Sequence, residues 1–174
     1  MSNDPSELTL IAKTITGLEP VLADELLKIG GRNIVQLHRA VKFTGDKGTI
    51  YKANLNLHTA LRILVPVHQF TVKDEQDLYQ KIHNISWENY MSEDDSLAID
   101  TVLSTKLFNH SQYISQKTKD AIADRFRERT GKRPDVDLIH PVFRLYVHIF
   151  KNEVSLHIDS SGEPLYKRGY RSDI

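Results

Sequence analysis

The stretch FRLYVHIFKNEVSLHI, residues 143–158, decides the reading of the chain. Its apolar residues alternate strictly: Phe143, Leu145, Val147 and Ile149 fall on one face of an extended strand, and Arg144, Tyr146 and His148 on the other. Lys151-Asn152-Glu153 predicts the turn, and a return strand then points Val154, Leu156 and Ile158 inward with Ser155, His157 and Asp159 outward. A β-hairpin follows from that pattern. Upstream the period changes to that of a helix. Ile114, Thr118, Ala121, Ile122 and Phe126 form an apolar stripe from about Ser111 to Arg129, with Ser111 as a candidate N-cap and Gly131 and Pro134 as stops. Before this helix, SLAIDTVLS (residues 96–104) reads as a strand, and Leu78, Ile82 and Ile85 mark a short helix ahead of Trp87.

The first part of the chain carries a second, complete pattern. LTLIAKTIT (residues 8–16) predicts a strand, and Thr16-Gly-Leu-Glu19 has the spacing of a capping box at a helix start. Leu18, Val21, Leu22, Leu26 and Ile29 recur at helical spacing until Gly30-Gly31. IVQLHRAVKFTG (residues 34–45) gives two short strands or one bent strand, Ile50, Ala53, Leu57 and Ala60 give a second helix, and RILVPVHQF (residues 62–70) a last strand. The order βαββαβ is the split pattern of a ferredoxin-like domain. The fold class is therefore α/β (α+β), with a ferredoxin-like domain followed by a second α/β module.

Composition narrows the function. The 174 residues are 40% hydrophobic and 26% charged, with 23 Lys plus Arg against 23 Asp plus Glu, so no field of the whole chain selects nucleic acid, membrane or acidic ligands. With no cysteine there is no disulfide framework, thiolate nucleophile or Cys-ligated zinc. The start MSNDPSELTL is no signal peptide, and no apolar run reaches the roughly 18 residues of a membrane span. The expectation is a cytoplasmic protein with no membrane partner.

Charge is instead organised locally. Between Asp74 and Asp100 eight carboxylates face one lysine, a net of −7, whereas between Lys106 and Arg133 eight cations face three carboxylates, a net of +5. Such a reversal is the footprint of a phosphate-binding face. A solvated helix whose charges pair with one another has the same composition. The candidate RNA contacts in this segment are Lys106, Lys117, Lys119, Arg127, Lys132 and Arg133. His110 and Ser111 join them, because a helix N-terminus presents unpaired backbone donors. Near the C-terminus Lys167, Arg168 and Arg171 lie among Tyr166 and Tyr170, a mixture suited to phosphates and stacked bases. Arg125 and Arg129 fall close to the apolar stripe, where they either serve function or snorkel at the helix end.

The sequence carries no catalytic motif. The eight histidines contain no HExxH and no pair at i and i+4, and the GxGxxG, P-loop and GxSxG patterns are absent. His148 and His157 are placed where they could face each other across the hairpin. No nucleophile, base and oxyanion site assemble. Catalytic, cofactor-binding and metal-binding residues are therefore expected to be none.

Residues 110–137, HSQYISQKTKDAIADRFRERTGKRPDVD, and residues 145–171, LYVHIFKNEVSLHIDSSGEPLYKRGYR, resemble the THUMP region of bacterial class I RNA guanine-N2 methyltransferases, a family also labelled N6-adenine-specific DNA methylases. The resemblance implies a ferredoxin-like domain over 1–70, a THUMP domain over 71–162 and, over 163–174, a linker into a Rossmann-like methyltransferase domain that the chain does not contain. It implies an RNA-binding, substrate-positioning front half of an S-adenosylmethionine-dependent enzyme, with a guanine N2 of large-subunit rRNA as target. The cofactor would belong to the missing domain, and the partners would be RNA and that domain. Three alternatives stay open: the same module from a tRNA-modifying enzyme, an N6-adenine DNA methylase, or a protein-interaction domain that meets no nucleic acid.

Overall fold

A computed structural model describes residues 7–167, and the chain divides into two compact units, residues 7–66 with 159–167 and residues 67–158. In the first unit the elements run β1 (Leu8–Lys13), α1 (Glu19–Lys28), β2 (Arg32–Leu37), β3 (Ala40–Gly45), α2 (Lys47–Asn56) and β4 (Arg62–Thr71), whose residues from Val67 onward belong to the second unit. This is the βαββαβ order. The strands lie β2-β3-β1-β4, and β1 pairs antiparallel with both β3 and β4, Ile11 opposite Lys42 and Leu64.

Local chemistry sets the helix ends. Gly30 takes a left-handed φ of +96°, its N–H reaching Leu27 O at 3.1 Å while Gly31 N–H reaches Leu26 O at 2.8 Å, which satisfies carbonyls that α1 would leave open. A Cβ on Gly31 would lie 2.9 Å from Leu26 O, so glycine is required for space as well. Asp46 caps α2 by accepting from Thr49 N–H at 2.7 Å. The expected capping box at Thr16 does not form. Leu18 is the N-cap residue and has no side-chain cap bond. Glu19 turns outward to bind two loops, its carboxylate accepting from Gly17 N–H at 2.6 Å and from Arg39 N–H at 2.9 Å. Val21 is exposed too, so α1 buries Leu22, Ala23 and Leu26 against Leu10, Phe43 and Ile63.

The chain returns to this unit after residue 158. Asp159, its side chain 1% exposed, pairs with Arg62. Ser160 N–H donates to Ile63 O at 2.9 Å, Ser161 Oγ accepts from Ile63 N–H at 2.8 Å, and Leu165 sits in the core. Within the segment expected to be a linker, Leu165 is thus held in the first unit's core, while Glu163, Tyr166 and Lys167 are exposed. A lone leucine has no periodicity, so nothing in the local pattern announces its burial.

The second unit contains α3 (Glu75–His83), a short 3-10 turn (Trp87–Asn89), β5 (Ser96–Ser104), α4 (Ser111–Thr130), β6 (Asp135–Val136), β7 (Phe143–Phe150) and β8 (Glu153–Asp159). Strand order is β8-β7-β5-β6, with β5 parallel to β6 and β7 and the β7–β8 hairpin antiparallel. The inward row Phe143, Leu145, Val147 and Ile149 meets Ile114, Ala121, Ile122 and Phe126 of α4 in one core. Trp87 is fully buried there, its Nε1–H donating to Ile82 O at 2.8 Å and its ring edge-on to Phe143. The outward row of the return strand differs from the alternation: His157 and Asp159 are buried. His157 lies opposite Tyr146, whose ring stands edge-on to it at 6.4 Å, while His148 lies opposite Ser155, so the two histidines are not cross-strand partners.

Candidate nucleic-acid interface

The 20-residue α4 organises the candidate site. Its N-cap is His110, in extended conformation and without a side-chain cap bond; Ser111 is the first helical residue and not the cap. The helix start is thereby open to solvent. An open recess of about 550 Å³ is lined there by Asn109, His110, Ser111, Gln112, Tyr113 and Gln116, all hydrogen-bonding side chains. Beside it a groove of about 480 Å³ runs between β5 and α4, with Leu97 to Thr101 on one side and Ser115, Gln116 and Lys119 on the other. Gly131, at φ +77°, ends the helix.

The cations along α4 are mostly engaged. Arg125 and Arg129 both reach Glu88, and Arg125 also donates to His83 O at 3.1 Å, so these two arginines serve the packing of α4. Arg127 pairs with Asp124 at 3.1 Å, Lys119 with Asp120 at 2.8 Å, and Lys132 with Asp94 at 3.1 Å. Arg133 lies 3.7 Å from Asp124 and 4.0 Å from Asp120. Lys117 sits 3.8 Å from Glu75 and over the ring of Tyr113. The acidic run thus meets the basic one through Glu75, Glu88 and Asp94, while Asp120 and Asp124 pair with cations of the basic run itself.

Three candidates from the same segment stay free of carboxylates among the described residues: Lys106, His110 and Ser111, all exposed. Lys167 is exposed in a short 3-10 turn of the first unit, and Arg168 and Arg171 lie outside the described residues. Arg144 escaped the sequence reading because strand alternation marks it merely as outward. It donates to Asp100 at 2.9 Å and to Leu138 O at 3.1 Å, which settles the charge of Asp100 at the groove. Asp137 ties the adjoining loop by accepting from His140 and Ile139 N–H, both at 2.9 Å, and these bonds hold its carboxyl below the usual range. No cluster of three or more metal-binding side chains exists among the described residues.

Residues 72–159, the part of the chain that holds α3, α4 and the hairpin, match the THUMP domain. The chain belongs to the THUMP-domain family. Residues 9–64 match the RlmL ferredoxin-like domain. The ribosomal RNA large subunit methyltransferase K/L of Syntrophotalea carbinolica is 38% identical over 157 residues, 90% of this chain but 22% of that protein. The chain therefore spans less than a quarter of that relative's length. Among solved structures, a Listeria monocytogenes protein described as a predicted N6-adenine-specific DNA methylase is 30% identical with a TM-score of 0.80, covering 95% of this chain and 43% of that one. The SMU.472 chain, solved in complex with SAH, is 25% identical with a TM-score of 0.80, covering 97% and 45%. The open end of α4 and the groove beside it both belong to the THUMP domain.

Proposed function

We propose that this chain is the RNA-binding, substrate-positioning front part of an S-adenosylmethionine-dependent methyltransferase that acts on a guanine N2 of large-subunit rRNA. The observation that carries the reading is the tandem of an RlmL ferredoxin-like domain and a THUMP domain in one chain, over which a large-subunit rRNA methyltransferase is 38% identical. The partners under this reading are rRNA and the catalytic domain of the parent protein, and the compartment is the cytoplasm. No helix among the described residues is long and apolar enough to cross a membrane, which fits.

Under this reading the cofactor belongs to the catalytic domain of the parent protein, since this sequence carries no GxGxxG turn. The closely approached glycines, Gly31 and Gly45, face Leu26 and Thr49 of the protein itself, so neither forms a glycine-rich turn open to a nucleotide. Calorimetry with S-adenosylmethionine should accordingly give no saturable heat.

Phosphate contacts fall to Lys106 first, because it gives up no carboxylate to bind. Arg127, Lys132 and Arg133 exchange a surface ion pair for a phosphate, and such pairs are worth only about 0–1 kcal/mol, while Lys117 and Lys119 do so from half-buried positions. Lys167, Arg168 and Arg171 contribute from the C-terminal segment. Fluorescence anisotropy with an rRNA fragment, a tRNA and DNA of the rRNA sequence tests the reading. With about four contacts, log K should fall against log salt with a slope of roughly −3. Tighter binding of the DNA would favour the N6-adenine methylase reading that the Listeria protein's description suggests. Binding of none of them at low salt would favour a protein-interaction domain.

A further inference from the structure

Where β5 ends and the β7–β8 hairpin turns, the THUMP domain carries a second basic surface, and its cations have no carboxylate within ion-pair distance among the described residues. Lys73, Lys106 and Lys151 surround an open recess of about 940 Å³ whose lining contains no acidic residue. Phe150 and Leu107 also line it, 52% and 40% exposed. The nearby acids are engaged in hydrogen bonds: Asp74 accepts from Asp77 N–H, Asp77 from Lys81 Nζ and from Lys73 N–H, and Glu75 from Tyr113 Oη–H. Glu153, opposite Phe150 in the hairpin register, is the remaining carboxylate at the tip.

The surface is rigidly built from three chain segments. Val72 N–H donates to Asn152 O at 2.8 Å, Lys151 N–H to Ser104 O at 3.0 Å, and Leu107 N–H to Thr105 Oγ1 at 2.9 Å. Thr105 Oγ1 in turn donates to Lys151 O. Lys151 holds a left-handed φ of +55° at a turn position that usually goes to glycine or asparagine, and its Nζ sits 5.4 Å from the centroid of Phe150. An exposed aromatic face among lysines that form no ion pair, of which Lys73 still feels the charge of Asp77, suits one ligand chemistry: an unpaired nucleotide that stacks its base and places flanking phosphates on the lysines.

We propose that Phe150, flanked by Lys73, Lys106 and Lys151, is a stacking platform for single-stranded RNA, distinct from the ion-paired face of α4. The inference rests on the RNA reading above and deepens it. The test uses the whole chain, a fluorescein-labelled unstructured decamer of RNA with one 2-aminopurine, and a blunt RNA duplex of equal length. The decamer should bind more tightly than the duplex, with 2-aminopurine quenched on binding. Lys106→Glu with Lys151→Glu should weaken the decamer by tenfold or more and flatten the salt slope by about 1.4 units, at about 0.7 per contact. Phe150→Ala should lose about tenfold and the quenching, whereas Phe150→Tyr should keep both. Glu153→Gln should tighten binding. Circular dichroism and melting confirm that each variant folds; Lys106, Phe150, Lys151, Glu153 and Arg133 are exposed and Lys119 is half-buried. Unchanged binding in the Lys106/Lys151 and Phe150→Ala variants, with loss in Lys119→Glu/Arg133→Glu, overturns the platform while the RNA reading stands. Absence of any RNA binding by the unaltered chain overturns both.

Discussion

Glu88 grips Arg125 with both carboxylate oxygens, Oε2 accepting from Nε–H at 3.0 Å and Oε1 from Nη2–H at 2.8 Å. Arg129 reaches the same Oε1 at 2.7 Å, and Arg125 also donates to His83 O, so one glutamate just beyond α3 anchors the second half of α4. Its geometry ties the acidic run to the basic one, with one carboxylate meeting two arginines of α4. Arginine suits the position because its planar fork fills two acceptors and a carbonyl at once.

Removing that anchor should be felt in stability. Glu88→Gln leaves the half-buried Arg125 without a countercharge, at a cost of about 2 kcal/mol at pH 7 read by urea denaturation. The Arg125 hydrogen bonds hold the Glu88 carboxyl at about 2, below its ordinary 4.5. A depressed carboxyl adds stability that is fully present above pH 4.5 and lost as the pH falls toward 2. The Glu88→Gln variant should therefore show a flatter stability profile across that window than the parent chain.

A second stability prediction concerns the returning segment of the first unit. Asp159→Asn strips the countercharge from Arg62 at a nearly fully buried site, and about 3 kcal/mol should be lost in denaturant titrations. Leu165→Ala empties a core position and should cost a similar amount, about 2–4 kcal/mol. If residues 163–167 behaved as a free linker, Leu165→Ala would be silent.

The contrast between these positions and the hairpin shows what sequence alone can carry. Residues 143–149 repeat at period two and α4 buries Ile114, Thr118, Ala121, Ile122 and Phe126 at helical spacing, so their elements were readable from the pattern. Asp159 and Leu165 are buried by partners about a hundred positions away, Arg62 and Leu61, which no local period encodes. His157 follows the same logic, since its face of β8 is covered despite its polar spacing. The candidate site was legible as a basic segment. Its internal pairing was not, because Glu75 and Glu88 meet α4, and Asp94 meets Lys132 beyond its end, only after the chain has folded.

Tyr79 reports on that pairing directly. Burial, and then its hydrogen bond to Asp124 Oδ2 at 2.8 Å, push its phenol up to about 12. Asp124→Asn removes the charged acceptor, so spectrophotometric titration should find the ionisation of Tyr79 shifted downward, though still above 10 because the burial remains. The same substitution also releases Arg127 and most of the hold on Arg133.

Neutralising exposed carboxylates should therefore strengthen RNA binding. Lys132 and Asp94 are 62% and 74% exposed in their side chains, so their pair contributes about 0–1 kcal/mol to stability and yields readily to a phosphate. Asp94→Asn frees Lys132. Asp120→Asn frees Lys119 and leaves Arg133 with Asp124 alone. In the double variant two additional cations meet phosphate without first displacing a carboxylate, and two negative charges no longer repel the strand. Affinity for a structured rRNA fragment should rise several-fold at 50 mM salt, and the slope of log K against log salt should steepen by about 1.4–1.8 units, at 0.7–0.9 per contact. The gain should shrink as salt rises, because released counterions drive it, and it should apply alike to RNAs of different sequence, since phosphate contacts carry no base information. An unchanged slope in a folded Asp94→Asn, Asp120→Asn variant would mean that RNA does not meet this face of α4, and that its cations serve only the fold.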